Sequence, residues 1–239
     1  MMRLLQVICK RKRYTFFFCC LYSMLIVSCG IESVIYLEKP RRTYDTSYLN
    51  DVSARYCEFN TADSVNTTHA AGYFQGTEIY YRIYEREGDC ISDRTAINQY
   101  NENNPSSAAQ YLQDTKKYYR LTTSTITRRP LIAGSASDVK VRFRLQDYGG
   151  TTDPAQLRVG GSLRGIPYRG TNILLSKRRF DRQNITVSDE DVQAASSSGG
   201  TDEFWCVNFY TVSYGYDRAF RTLYSSLEPL GYIKIEKNP

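Results

Sequence analysis

The sequence predicts an α+β protein, mainly antiparallel β, with a sandwich-like sheet and two or three inserted helices. Three observations lead there. Residues rich in Tyr, Ile and Val alternate at period two over Gly72–Glu85 and Val139–Leu145, and Phe204–Tyr214 is an almost unbroken apolar run. Segments with helical spacing interrupt these strands. The regular strand–helix alternation of a parallel sheet is missing.

In chain order, Gly72–Glu85 reads GYFQGTEIYYRIYE. Ile79, Tyr81 and Ile83 fall on one face of a strand, and Tyr80, Arg82 and Tyr84 on the other. Asn104 before Pro105 is an N-cap followed by Pro at the first helical position. Ala108, Tyr111, Leu112, Thr115 and Tyr119 continue a helical stripe, so a helix is expected over Pro105–Arg120, with a shorter one over Asp93–Tyr100. Val139–Leu145 is the cleanest alternation: Val139, Val141, Phe143 and Leu145 point one way, and Lys140, Arg142 and Arg144 the other. Gly149–Pro154 reads as a loop, Leu157–Leu163 as the partner strand, and Asn172–Leu175 as a further strand. Ser188, with Asp191 three residues on, matches a capping box and predicts a short helix running into the loop Ser196–Gly200. Phe204–Tyr214 is a strand, Ala219–Leu227 is expected to be helical up to Pro229, and Tyr232–Glu236 closes the chain as an edge strand.

The first 30 residues have a different character. Arg3 and Lys10–Arg13 precede the apolar block Tyr14–Gly30, and no acid occurs before Glu32. A basic region followed by an apolar one is the pattern of a secretory signal. The block ends Ile26-Val27-Ser28-Cys29, which resembles the lipobox of bacterial lipoproteins. That resemblance implies cleavage before Cys29, acylation of its thiol, and a signal peptide over residues 1–28. Residues 29–52 would then be the lipidated cysteine and a tether, and residues 53–239 a single exported domain. The segments Cys29-Gly-Ile-Glu32 and Tyr36–Pro40 are also similar to the start of uncharacterised spirochaete lipoproteins. The alternative is an uncleaved membrane anchor, because Tyr14–Ile31 is a run of 18 uncharged residues, just long enough to span.

The charge balance follows the same division. The leader holds five of the 31 basic residues and none of the 25 acidic ones, so the remaining chain is nearly neutral. The precursor's positive charge is therefore no argument for nucleic acid, and none is expected as a partner. Locally the balance differs. Arg158–Arg182 carries seven cations against Asp181 alone. With the outward side of Val139–Leu145, this points to a basic patch of Lys140, Arg142, Arg144, Arg158, Lys177, Arg178 and Arg179. Beyond the leader and Cys29, the cysteines are Cys57, Cys90 and Cys206. Cys206 sits in an apolar run, which leaves Cys57–Cys90 as the expected disulfide, worth ~3–4 kcal/mol on the chain-entropy model.

Signatures for chemistry are sparse. His69 is the only histidine and lies in a polar connector, so no zinc site, metal or cofactor is expected. No phosphate-binding Gly-Lys-Ser/Thr loop occurs. Asp189, Glu190 and Asp191 lack the spacing of a calcium loop and are explained by helix capping. No catalytic residue is assigned. The function expected is a membrane-anchored envelope lipoprotein that binds an anionic partner, a lipid headgroup or a glycan, or serves a structural role. The alternative is an exported hydrolase of envelope polymers that uses carboxylates, which needs a pocket with converging acids of raised pKa.

Overall fold

The computed structural model describes residues 35–44, 55–147, 154–195 and 202–237. The leader, Cys29, the rest of the expected tether, and the expected loops at 149–153 and 196–200 lie outside these residues. The described elements belong to one compact unit, Ile35–Pro239.

The strands are β1 (Arg41–Tyr44), β2 (Cys57–Asn60), β3 (Phe74–Tyr84), β4 (Tyr119–Arg120), β5 (Thr122–Thr123), β6 (Ile132–Ala133), β7 (Lys140–Arg144), β8 (Gln156–Val159), β9 (Ser162–Leu163), β10 (Pro167–Tyr168), β11 (Val192–Gln193), β12 (Phe204–Tyr216), β13 (Thr222–Tyr224) and β14 (Glu228–Glu236). The helices are α1 (Asp63–His69), α2 (Glu87–Asn103) and α3 (Ala108–Gln110), the last continuing as a π-turn over Tyr111–Thr115.

The two longest strands form the spine. β3 and β12 pair antiparallel from Phe74 opposite Gly215 to Tyr84 opposite Cys206. On its other side β12 pairs with β14 and β13, while short strands β4, β6 and β11 line β3. Gly76 allows β6 to approach, because a Cβ there would strike the Ile132 carbonyl. A second sheet runs β1-β2-β7-β8-β9. Its β8–β9 turn is Gly160-Gly161, both with positive φ, as a two-residue hairpin loop requires.

Both faces of the spine are covered. Ile79, Tyr81, Ile83, Val207 and Phe209 pack against Phe59, Val141, Phe143 and Leu157 of the second sheet. Tyr80, Tyr84, Cys206, Tyr210 and Tyr232 pack against Cys90 and Ile97 of α2 and against Ala108, Ala109 and Leu112. The fold is thus the expected mainly antiparallel α+β sandwich, with helices covering one face. The single parallel pairing among the described residues, β11 with β3, is two residues long.

Several local expectations are corrected. The helix expected over Pro105–Arg120 stops by Thr115. Lys117 adopts positive φ, and Tyr119–Arg120 pairs with β3, so a tertiary ladder overrides the helical stripe. The expected minor helix is the major one, α2, with 17 residues, of which only Cys90 and Ile97 are buried. Ala219–Leu227 is no helix. Asp217 accepts the amides of Ala219 and Arg221, Phe220 turns with positive φ, and the chain returns as β13. Asn172–Leu175 is irregular and leads into a short 3-10 turn. Ser188–Asp191 starts no helix, because Asp189 and Asp191 are drawn to the buried Arg169. Part of the expected tether belongs to the fold: β1 pairs with β2, and Leu37 is buried.

The disulfide is also corrected. Cys57, Cys90 and Cys206 are buried thiols. Cys57 packs between the two sheets and Cys90 on the opposite, helical side of the spine, so they cannot meet. The thiol neighbour of Cys90 is Cys206, which shares a hydrogen bond with it, and burial pushes the Cys206 thiol well up.

Candidate functional site

The expected basic face exists on the second sheet. β7 pairs with β8, placing Arg142 opposite Arg158 and Phe143 opposite Leu157. The apolar side of β7 enters the core, and Lys140, Arg142 and Arg158 lie on the outer side. Arg142, Arg144 and Arg158, with Phe143 and Gln156, border a shallow depression of about 60 Å³. The Arg142 guanidinium lies 3.6 Å from the centre of the Tyr56 ring, which itself stacks on Tyr44 at 4.3 Å. Arg158 donates from Nε to Gln156 Oε1 at 2.9 Å and from Nη1 to the Gly161 carbonyl at 3.1 Å.

This face is smaller than expected. Lys140 Nζ sits 3.3 Å from Glu58, and Arg144 is buried. Lys177, Arg178 and Arg179 serve another segment. Arg178 donates to the carbonyls of Ile173 and Thr171, Arg179 pairs with Asp181 at 3.3 Å, and Lys177 Nζ is 4.0 Å from Asp189. They surround the fully buried Arg169, whose guanidinium bonds Asp191, Asp189 and the Asn184 carbonyl. Tyr81 donates to the same Asp191 at 2.7 Å and accepts from the Gly170 amide, so this cluster fastens the 169–191 segment to β3.

The helical side of the spine holds a second constellation that pattern reading missed. Glu78, on β3, has a fully buried side chain. Arg129 Nε donates to its Oε1 at 3.4 Å, and Arg120 Nε approaches Oε2 at 3.6 Å, beyond a hydrogen bond. Oε2 accepts no hydrogen bond. Burial pushes the Glu78 carboxyl up to about 7 against the pull of Arg120 and Arg129. Arg129 Nη2 also donates to the hydroxyls of Tyr80, at 2.6 Å, and Tyr224, at 2.8 Å. Beside them is a cavity of about 250 Å³ lined by Tyr80, Gln113, Tyr118, Tyr119, Arg120, Thr122, Arg129, Gly170, Thr171 and Asn172. The one available signal was an acid inside a Tyr- and Ile-rich strand; its partners lie 42 and 51 residues away, where spacing carries no information.

A larger recess of about 380 Å³ is bordered by Glu38, Asp138 and Glu228. Asp138 accepts from the amide and hydroxyl of Ser64, and Glu228 accepts from Lys39 Nζ and the Arg42 amide. Glu228 thus holds the N-terminal segment in place, and Asp138 anchors the first turn of α1. His69 is exposed and stacks on Tyr36. Among the described residues no cluster of His, Cys, Asp and Glu could hold a metal, and no helix is long and apolar enough to cross a membrane. Comparison with family models, curated proteins and solved structures returns no match.

Proposed function

We propose that this chain is an exported lipoprotein, anchored through Cys29, whose folded unit binds an anionic partner on the β7–β8 face. The observation that supports it is the cross-strand pair Arg142 and Arg158, with Arg144 beside the same depression. Like charges directly opposite on a sheet repel, costing a few tenths to ~1 kcal/mol. An anionic headgroup or an acidic glycan relieves that repulsion. Each cation held at an anionic bilayer is worth about 1 kcal/mol.

The carboxylate hydrolase has less support. Glycosidic chemistry of that kind takes two acids flanking one bond. Among the described carboxyl groups burial raises Glu78, to about 7, and Asp63, but no carboxylate appears among the residues lining the cavity beside Glu78.

The test uses residues 30–239, which retain the whole compact unit and lack the acylation site. Binding is measured to vesicles of neutral or anionic lipid and to heparin, at low and moderate salt. The expected result is salt-sensitive binding to anionic vesicles, to heparin, or to both, and the pattern tells headgroup from glycan. Arg142→Gln/Arg158→Gln is expected to remove it. Equal binding by that variant, with unchanged circular dichroism, overturns the assignment of this face.

A further inference from the structure

We propose that the cavity beside β3 and β4 is a binding site for a small hydroxylated organic anion, with Arg129 as its principal contact. The inference is independent of the lipid anchor and of the β7–β8 face.

The geometry around Arg129 carries it. A guanidinium has five N–H donors. The Arg129 Nε donor goes to Glu78, and Nη2 serves Tyr80 and Tyr224. The Nη1 amino group has no protein acceptor among the described residues. The guanidinium carbon lies 4.7 Å from the Tyr214 ring centre and 5.8 Å from that of Tyr224. The Tyr224 hydroxyl in turn reaches Gln113 Oε1 at 3.5 Å. The arginine is therefore fixed by a carboxylate, two hydroxyls and two rings, yet its side chain keeps 34% exposure beside the cavity. A fork held this way loses little freedom on binding a carboxylate or phosphate.

The lining explains the rest of the ligand class. Two guanidinium groups face one buried carboxylate, so the site favours an anion over a neutral molecule. Tyr119 offers a ring, and Gln113, Thr171 and Asn172 offer amide and hydroxyl groups suited to a hydroxylated frame. Glu78 modulates the charge. The groups facing it are Tyr80 on its own strand, Arg120 on β4, and Arg129 with the Leu131 backbone. Tyr224 on β13 joins them through Arg129. When Glu78 takes a proton, the two arginines lose their counter-charge. Anion binding therefore strengthens as pH falls through about 7.

Isothermal titration of the full chain in non-ionic detergent tests this, with glucuronate, glucose 6-phosphate and glucose as probes. One or both acids are expected to bind at pH 6 and to weaken by about tenfold at pH 8. Whichever acid binds tighter names the anionic group. Glucose is expected to bind at least about tenfold more weakly than the better acid. Asn172→Trp, at the exposed rim, should block binding without disturbing the core, and Arg129→Gln should weaken it by about tenfold or more. Glu78→Gln should hold the affinity at its pH 6 level up to pH 8. The proposal is overturned if neither acid binds, if glucose matches the acids, or if Asn172→Trp binds as the parent does.

Discussion

Glu78 links folding to proton uptake. Its carboxyl is raised from 4.5 to about 7 in the folded chain, with burial as the main cause. Between those values the folded state holds a proton that the unfolded chain has released. Its contribution is thus complete below about pH 4.5 and is lost as pH rises through about 7. A shift of this size corresponds to something on the order of 3 kcal/mol. Asp63, also raised by burial, acts in the same direction. Asp189 acts in the opposite sense and only at the acid end: burial opposes its charge, but the Thr186 amide and Arg169 win and lower its pKa. Urea midpoints are therefore expected to fall between pH 5 and pH 7.5, and Glu78→Gln to flatten most of that slope. An unchanged slope in the variant would show that the carboxylate is solvated rather than enclosed. Neither Glu78 nor Arg169 was legible beforehand. Arg169 lies among surface-type cations in the sequence, and its partners, half-buried Asp189 and buried Asp191, imitate a helix cap so well that the ion pair was hidden.

At the scale of elements, legibility followed periodicity. β3, β7 and β12 were readable because each alternates or runs apolar across a surface buried on at least one side. α2 was read too short, since a helix that buries only Cys90 and Ile97 leaves most of its length without an apolar stripe. β4 and β13 were read as helix because two or three residues are too few to show a period, and their structure comes from pairing with β3 and β12. β1 was assigned to the tether for a related reason. Its burial alternates only between exposed and half-buried, so its sequence looks like linker. The structure gives that segment firm attachments. Asn66 accepts the Glu38 amide and donates to the Glu38 carbonyl, Ser213 donates to that carbonyl at 2.6 Å, and Lys39 bridges to Glu228 at 2.6 Å. Leu37 adds apolar burial with Ala70 and Phe74. A chain beginning at residue 45 should accordingly lose several kcal/mol relative to one beginning at residue 30, since one buried leucine alone is worth ~2 kcal/mol and buried Asn66 loses the Glu38 donor to its Oδ1, keeping only the Nδ2 bond to Ser213. Thermal melts of the two chains decide it; equal midpoints would return 35–44 to the tether.

For the whole molecule, the early start of the fold changes what a lipid anchor would do. With Ile35 as the first residue of the compact unit, only residues 30–34 separate it from Cys29. Covalent geometry limits that connection to about 3.5 Å per residue, or roughly 20 Å in all. If Cys29 is acylated as proposed, a domain on so short a leash works close to the headgroups, where fields decay over ~8 Å at physiological salt. Basic groups there act at high effective concentration, and even weak contacts of the β7–β8 face would be sampled continually. The anchor itself is the premise to test. In the native host, a fatty-acid analogue should label the parent chain and leave Cys29→Ala unlabelled. The parent should also migrate as the shorter, cleaved species. Two acyl chains hold a protein on a membrane stably, whereas one gives only marginal binding, so the labelled chain should resist extraction by high salt and yield to detergent. Equal labelling of Cys29→Ala would end the lipoprotein reading. An unlabelled, uncleaved parent that stays in the membrane would instead identify Tyr14–Ile31 as a spanning anchor. In that case the basic face would still lie near a bilayer, but one reached by a helix rather than by acyl chains.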